Sequence, residues 1–379
     1  RSPSTSKLSG GRRWRPRAET MGNPFSRGGF ATLKGHTSVS AVCFLPTGEL
    51  VTAGDTSLRL WHPETGKAEK IWKLSGIVET CCCSQDGRYI ACGVADGLVF
   101  IYEARSWQQV AHWQAHAACG QGPLLQFLAE NTYLLSAARC TCKIWSSRTT
   151  KLINTWETVP ITSLHVARDC TVLALGSHTG LVTIHSLPDG NVLHRLHAHR
   201  TEVWAVVFSP DQSLLATASR DDPDGLKLWS AQTLEHLQTL RGHVGLVLDC
   251  SFSSDSVQLI TAGYDRTLRL WRRHGRPPDR PDGGVLASAG LAPREGLPPL
   301  LAGGVWRCEN VLVGHGDIVA ACAVAPGVAG PSGGGAVVAS GAADGAVRAW
   351  RLAEVQRAGA SDGDGSFRTS SGAYPAEKK

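Results

Sequence analysis

The sequence predicts an all-β fold: a closed ring of seven blades, each a four-stranded antiparallel sheet. Three observations predict it. The first is an internal repeat. "TSLRLWHPETG" around Trp61 recurs as "CTCKIWSSR" at Trp145, "DGLKLWSAQ" at Trp229, "DRTLRLWRR" at Trp271 and "DGAVRAWRL" at Trp350, with weaker copies at Tyr102 ("DGLVFIYEA") and His185 ("TGLVTIHSL"). Successive copies stand 41, 43, 40, 44 and 42 residues apart, and the last step, from 271 to 350, is 79, one period plus an insertion. A period of about 40–45 residues is that of a four-stranded β-propeller blade. The second is period-2 alternation broken by turn residues, as in "VWAVVFSPDQSLLATAS", which reads as antiparallel strands joined by tight turns. The third is composition: 42 Gly and 12 Trp against 8 Phe and 5 Tyr, with 18% charged residues, suit strands and turns better than helices.

Taken in chain order, residues 1–29 read as a flexible basic arm. Residues 1–20 hold Arg1, Lys7, Arg12, Arg13, Arg15 and Arg17 against Glu19, so most of the net charge of +6 sits there and the remaining body is nearly neutral. Nucleic-acid binding by counterion release needs clustered cations, and the arm is where this sequence clusters them. Met21 is the single methionine, and "MGNPFS" fits the myristoylation pattern M-G-x-x-x-[ST], so a start at Met21 with a lipid on Gly22 is one expectation. "FATL", residues 30–33, precedes the first repeat, and closing the ring would protect the edges of its blades. The propeller extends over residues 30–352. Residues 272–307, rich in Pro, Gly and Arg, read as a flexible insertion between the third and fourth strands of blade 6. "GVAGPSGGG", residues 327–335, separates the first two strands of blade 7, and residues 353–379 read as a disordered tail. The strand order sends the arm, both loops and the tail to one face, the bottom. The opposite, top face carries the turns that precede each first strand and those between second and third strands.

Several function classes find no support. No apolar run approaches the roughly 18 residues of a membrane span, and no signal-peptide core is visible, which predicts a cytoplasmic location, or a peripheral membrane one if Gly22 is acylated. The 12 Cys include a "CCC" run at Cys81, Cys82 and Cys83 and a "CTC" at Cys140 and Cys142, but no C-x-x-C pair. They read as reduced, strand-buried thiols rather than metal ligands. No phosphate loop or nucleophile motif is present, and no cofactor is expected.

A second anchor lies upstream of the aromatic in five repeats: Gly-His or Ala-His at His36, His116, His199, His243 and His315, with an Asp commonly six residues before the Trp. With these in phase, the chain resembles the WD-repeat family of seven-bladed β-propellers over roughly residues 30–352. That resemblance implies that an N-terminal strand, "FATL" at residues 30–33, closes the ring by pairing with the last blade, that of Trp350, and that each blade holds a hydrogen-bonded tetrad of His, Ser/Thr, Asp and Trp. By position, blade 1 offers His36, Thr52, Asp55 and Trp61; blade 5 His199, Thr217, Asp221 and Trp229; blade 6 His243, Thr261, Asp265 and Trp271; blade 7 His315, Ser340, Asp344 and Trp350. A buried imidazole, carboxylate and indole N–H all need partners, and one network satisfies them together. Repetition of the same His/Asp pair in four blades says architecture, not acid–base catalysis. Blade 3 departs with Arg139 at the Asp position and blade 4 with Thr179 there and His185 for the Trp. Blades 2 and 4 lack the Gly-His.

The resemblance further implies a non-catalytic scaffold for other proteins, one subunit of a larger assembly. Positions beside the Asp turns and at the starts of the first strands face the top: Arg139, Trp204, Arg220, Leu248 and Tyr264 are the candidate partner-binding residues, of a type common at interfaces. Two alternatives stand beside this. One is an RNA or ribonucleoprotein component acting through the arm. The other is a substrate receptor of a cullin-type ubiquitin ligase, for which "WSSR" at Trp145 to Arg148 keeps the Trp and Arg of a W-D-x-R box but has Ser146 for the Asp. "RDDPDG", residues 220–225, reads as an Asp/Pro/Gly turn in preference to a calcium loop built on Asp221, Asp222 and Asp224.

Overall fold

The computed structural model describes residues 30–275, 304–326 and 337–352, apart from residues 64, 119, 121, 129, 130, 222 and 223. The described residues form 28 strands in seven four-stranded antiparallel sheets. No helix among them is long and apolar enough to cross a membrane. The strands of blades 1–6 fall within residues 41–73, 78–114, 124–157, 161–197, 203–239 and, for blade 6, 247–274 with 305–313. Blade 7 takes residues 319–351 together with the N-terminal strand Phe30–Lys34. The first strand of every blade touches the first strands of both neighbours, so these seven surround the axis and the ring is closed.

Burial follows strand position. Second strands such as Leu214–Ser219 ("LLATAS") are buried at every residue, because neighbouring blades cover both faces. Fourth strands such as Lys67–Lys73 ("KAEKIWK") bury only Trp72 and carry the charge. The core is therefore seven apolar layers, one between each pair of blades. Leu58, Leu60, Ile90 and Tyr102 fill the layer between blades 1 and 2, and Leu226, Leu228, Leu259 and Trp271 the layer between blades 5 and 6.

The ring closes on the N-terminal strand, with Phe30 opposite Trp350 and Lys34 opposite Ala346. Leu33 joins Trp61 and Val347 in the layer between blades 7 and 1, so the closing strand contributes packing as well as ladder hydrogen bonds. Tyr102 and His185 take the place that Trp61 holds: each stands opposite the buried apolar residue of the second strand, Ile90 and Leu173 against Leu50.

One boundary is corrected. Residues 272–307 were expected to form a single insertion, but the ladder of blade 6 continues through Arg272 opposite Arg307, Arg273 opposite Trp306 and His274 opposite Val305. Trp306 explains this: it is buried and lies edge-on to Phe252, ring centroids 5.9 Å apart, which pins the extended hairpin to the core. The basic arm with Met21 and Gly22, residues 276–303, the 327–335 loop and the C-terminal tail lie outside the described residues.

Candidate functional site

The His, Ser/Thr and Trp of each expected tetrad meet, and one blade shows the full chain at hydrogen-bond distance. In blade 6 the Trp271 indole N–H donates to Thr261 Oγ1 at 3.0 Å, the Thr261 hydroxyl donates to His243 Nε2 at 2.7 Å, and His243 Nδ1–H donates to Asp265 Oδ2 at 2.9 Å. The Asp265 carboxylate also accepts the Val244 and Thr267 backbone N–H groups. Burial alone would raise its pKa, but these hydrogen bonds, led by His243, hold it down at about 2. Blades 1, 5 and 7 keep the Trp–Ser/Thr–His part, with His Nε2 at 2.9, 2.8 and 2.7 Å from Thr52, Thr217 and Ser340. Their carboxylates stand further off, at 3.7, 3.4 and 3.5 Å from Nδ1. In blades 1 and 5 a serine hydroxyl, Ser57 or Ser219, takes Nδ1 instead. Asp55, Asp221 and Asp344 then serve the turn by accepting the backbone N–H of the residue after the His: Thr37, Arg200 and Gly316.

Two arrangements escaped the sequence reading. Blade 3 builds the same core without an Asp: Trp145 donates to Ser136 Oγ at 2.8 Å, His116 Nε2 lies 2.9 Å from that oxygen, and Thr141 stands 3.2 Å from Nδ1. All five His-bearing blades also place a cation on the third strand, directly opposite the Ser/Thr: Arg59, Lys143, Lys227, Arg269 and Arg348. The cation follows the residue before the His. Gly35, Gly242 and Gly314 go with Arg, whereas Ala115 and Ala198 go with Lys. A Cβ on Gly35 would overlap the Arg59 guanidinium, and one on Gly242 would lie 2.5 Å from Arg269 Nη1, whereas one on Gly314 would stand 3.5 Å from Arg348 Nη1, in ordinary contact, so the steric link holds in blades 1 and 6. The thinner lysines leave room for the methyl group, and Lys143 and Lys227 each donate to the alanine carbonyl at 2.8 Å. Burial first, and the nearby Arg59, Lys143 or Lys227 second, lower the imidazoles of His36, His116 and His199 to about 4; burial does the same for His315. These imidazoles are neutral at pH 7, enclosed and hydrogen-bonded, so they hold turns rather than reach a substrate.

The accessible chemistry lies at the top mouth of the central channel. The first strands of blades 2, 4, 5, 6 and 7 all start with a register shift, after Val78, Ile161, Val203, Val247 and Val319. Each bulge sets one extra residue at the mouth: Glu79, Thr162, Trp204, Leu248 and Ala320. A cleft of about 210 Å³ opens there across blades 2 to 5. Apolar Leu124, Ala137, Ala138, Ile161 and Trp204 line it, together with Glu79, Thr80, Thr162 and Arg139. Glu79 accepts the Gly122 N–H at 2.7 Å, and Ser163 donates to the Val203 carbonyl at 3.1 Å, which fixes the walls. Of the five predicted partner-binding residues, the cleft brings together Arg139, exposed on the turn between the second and third strands of blade 3, and half-buried Trp204. Arg220, Leu248 and Tyr264 are not in its lining. Arg220 is exposed and Tyr264 is 55% exposed on the Asp turns of blades 5 and 6, while Leu248 is half-buried on its bulge. Glu79 and Thr162 were missed.

The remaining expectations resolve into ordinary contacts or fall outside the described residues. Asp224 pairs with Arg241 at 2.9 Å and Asp221 is occupied by the turn, while Asp222 is among the residues not described. Among the described residues no group of three or more His, Cys, Asp or Glu is placed to hold a metal ion. In "WSSR", Trp145 is buried, Ser147 is tied to the Asn131 carbonyl and Arg148 is exposed.

A closed seven-bladed ring with repeated Trp–Ser/Thr–His chains defines a β-propeller of WD type. A family model described as "IFT122 first beta-propeller" matches residues 38–283, and one described as "WD domain, G-beta repeat" matches residues 306–351. The chain belongs to the WD-repeat family of β-propellers. It is 35% identical over 106 residues to WD repeat and SOCS box-containing protein 1 of Homo sapiens, covering 27% of this chain and 25% of that one. It is 28% identical over 159 residues to Protein FIZZY-RELATED 1 of Arabidopsis thaliana (41% and 32%) and 28% identical over 175 residues to Pre-mRNA-splicing factor cwf17 of Schizosaccharomyces pombe (44% and 51%). The chain thus spans between a quarter and about half of these relatives' lengths.

Proposed function

We propose that the chain is a non-catalytic protein-interaction scaffold, a subunit of a larger assembly, that receives a partner at the top mouth of its channel. The cleft at that mouth carries the reading. Its lining mixes apolar Leu124, Ile161 and Trp204 with polar Glu79, Thr80 and Thr162, its size suits one or two inserted side chains, and Arg139 at its edge has no ion pair among the described residues. A half-buried Trp beside an exposed Arg is the usual make-up of an interface anchor. WD-repeat propellers generally bind other proteins, which supports the same class of function. Affinity purification with mass spectrometry, comparing the wild type with Trp204→Ala/Arg139→Ala, tests it. Loss of a specific set of partners is expected, with Arg220→Ala/Tyr264→Ala as a separate arm for the neighbouring blades. If both variants retained every partner, the top-face reading would be wrong.

A second reading, RNA binding through the arm, is favoured by the concentration of charge in residues 1–20 and by the likeness to a splicing factor. Salt-dependent RNA binding that disappears on deleting residues 1–20 would establish it, and unchanged binding would remove the arm as its cause. A ligase-receptor role rests on "WSSR" and on the likeness to a SOCS-box protein. Co-purification of a cullin, lost on Arg148→Ala, is its test.

A further inference from the structure

The "CCC" run has no part in the top-face site, yet it lies in unusual company. It belongs to the first strand of blade 2 (Val78–Cys83), which runs along the first strand of blade 1 (Ala41–Phe44). Alternation sends its thiols to opposite sides. Cys82 packs toward blade 3 with Phe127 and Leu134, while Cys81 and Cys83 turn toward blade 1, where they meet Cys43. Cys43 Sγ stands 3.0 Å from Cys83 Sγ and 3.7 Å from Cys81 Sγ. All three are half-buried and pack against the apolar layer between blades 1 and 2.

We propose that Cys43 is the branch point of an oxidation site: a peroxide converts it and Cys83 into a disulfide that ties blade 1 to blade 2, with Cys81 as the alternative partner. The chemistry balances with hydrogen peroxide as oxidant. One thiol, as its thiolate, attacks a peroxide oxygen; the O–O bond breaks, water leaves and a sulfenic acid forms. The adjacent thiol then attacks the sulfenyl sulfur, the S–O bond breaks and a second water leaves. Two electrons pass from the two sulfurs to the peroxide. The hydrogen bond with Cys43 and then burial push the Cys81 thiol up; burial, helped by Cys81 and Cys82, raises Cys83 against the opposing hydrogen bond with Cys43, and Cys43 is raised as well. The first step is therefore slow near neutrality and speeds up with rising pH. The second step is favoured because the resolving sulfur is already in contact. Exposed Cys308 has no second sulfur in contact among the described residues, so its oxidation follows the ladder toward sulfinic acid instead. The Cys43–Cys83 link encloses a segment of 40 residues that holds nearly all of blade 1, and it anchors this to blade 2, which lacks the Gly-His.

The test treats the full chain with graded hydrogen peroxide, blocks remaining thiols with N-ethylmaleimide and maps linked peptides by mass spectrometry without reduction. The expected result is a loss of two hydrogens, about 2 Da, reversed by dithiothreitol, with Cys43 in every link between blades 1 and 2. Cys83→Ser should divert the link to Cys81, and Cys43→Ser should abolish it and leave oxygen additions in its place. Oxidised wild type should unfold several degrees higher than reduced, a shift that Cys43→Ser lacks. The proposal falls if these thiols stay alkylatable at doses that oxidise Cys308. It also falls if they gain oxygen without linking, or if a link forms within the 81–83 run and leaves Cys43 free.

Discussion

Blades 6 and 4 present the same four strands to the ring, yet they are held differently. Blade 6 runs one chain of hydrogen bonds from Trp271 through Thr261 and His243 to Asp265. Blade 4 has Leu175 opposite Thr183 where blade 6 has Thr261 opposite Arg269, and His185 where blade 6 has Trp271. There His185 is 1% exposed and makes a local set of contacts, Nε2 to Thr183 Oγ1 at 2.9 Å and Nδ1 to the Gly190 carbonyl at 3.0 Å. Both blades keep their apolar layers. Packing between sheets therefore maintains the ring, and the polar chain fixes individual turns.

Acid should make the largest difference, because it reaches several blades at once. His36, His116, His199 and His315 titrate near 4 in the fold against about 6.5 in an unfolded chain. As pH falls through 6.5 the unfolded chain takes up protons first, so stability should decline between about pH 6.5 and 4. The urea midpoint should therefore be lower at pH 5 than at pH 7, and a flat profile over that window would contradict the neutral-imidazole picture. Next in size, Trp271→Ala should cost about 3–5 kcal/mol, from lost packing and a broken chain. His185→Leu in blade 4, which removes only the local pair, should cost about 1–3 kcal/mol. Equal losses would mean that the two blades are held alike. Thr261→Val, nearly the same shape, isolates the hydroxyl, and about 1–3 kcal/mol should be lost as the Trp271 N–H and His243 Nε2 lose their partner. Smallest is a steric test in blade 1: Gly35→Ala should destabilise by about 0.5–1 kcal/mol, because the end of the Arg59 side chain must move off its rotamer, and Arg59→Lys in the same chain should recover much of that. A double variant as unstable as the single one would show that Gly/Arg and Ala/Lys are not linked by fit.

The ring and the membership of the tetrads were legible because the strand pattern recurs in phase seven times and the tetrad residues in four of the copies, so one copy interprets another. The distance from Asp to His was not legible. Ser57 and Ser219 intercept Nδ1 in two blades, and nothing in the spacing reveals which oxygen the ring turns toward. The His–Ser–Trp core of blade 3 is present in the sequence as His116, Ser136 and Trp145, but Arg139 stands at the Asp position and breaks the repeat there. The covariation of Gly with Arg and Ala with Lys was also present in the sequence, though its reason needs the guanidinium's actual approach to Gly35 and Gly242. Glu79 and Thr162 were hidden by the bulges, since a strict period of two assigns the faces of those strands one residue out of step. The residues 272–274 and 305–307 were lost to Pro/Gly/Arg composition, which outweighed the single buried Trp306.

The closing strand has a consequence for synthesis on the ribosome. Thr32 and Arg348, neighbours in the finished blade 7, are 316 residues apart in the chain. At about 5–20 residues per second, the closing strand waits tens of seconds for its partner. During that wait six blades can assemble in order while an unpaired edge remains open at each end. A circularly permuted gene that moves Phe30–Lys34 behind Leu352 would let blade 7 finish as it emerges, and the interval of vulnerability to edge-to-edge association would shrink accordingly.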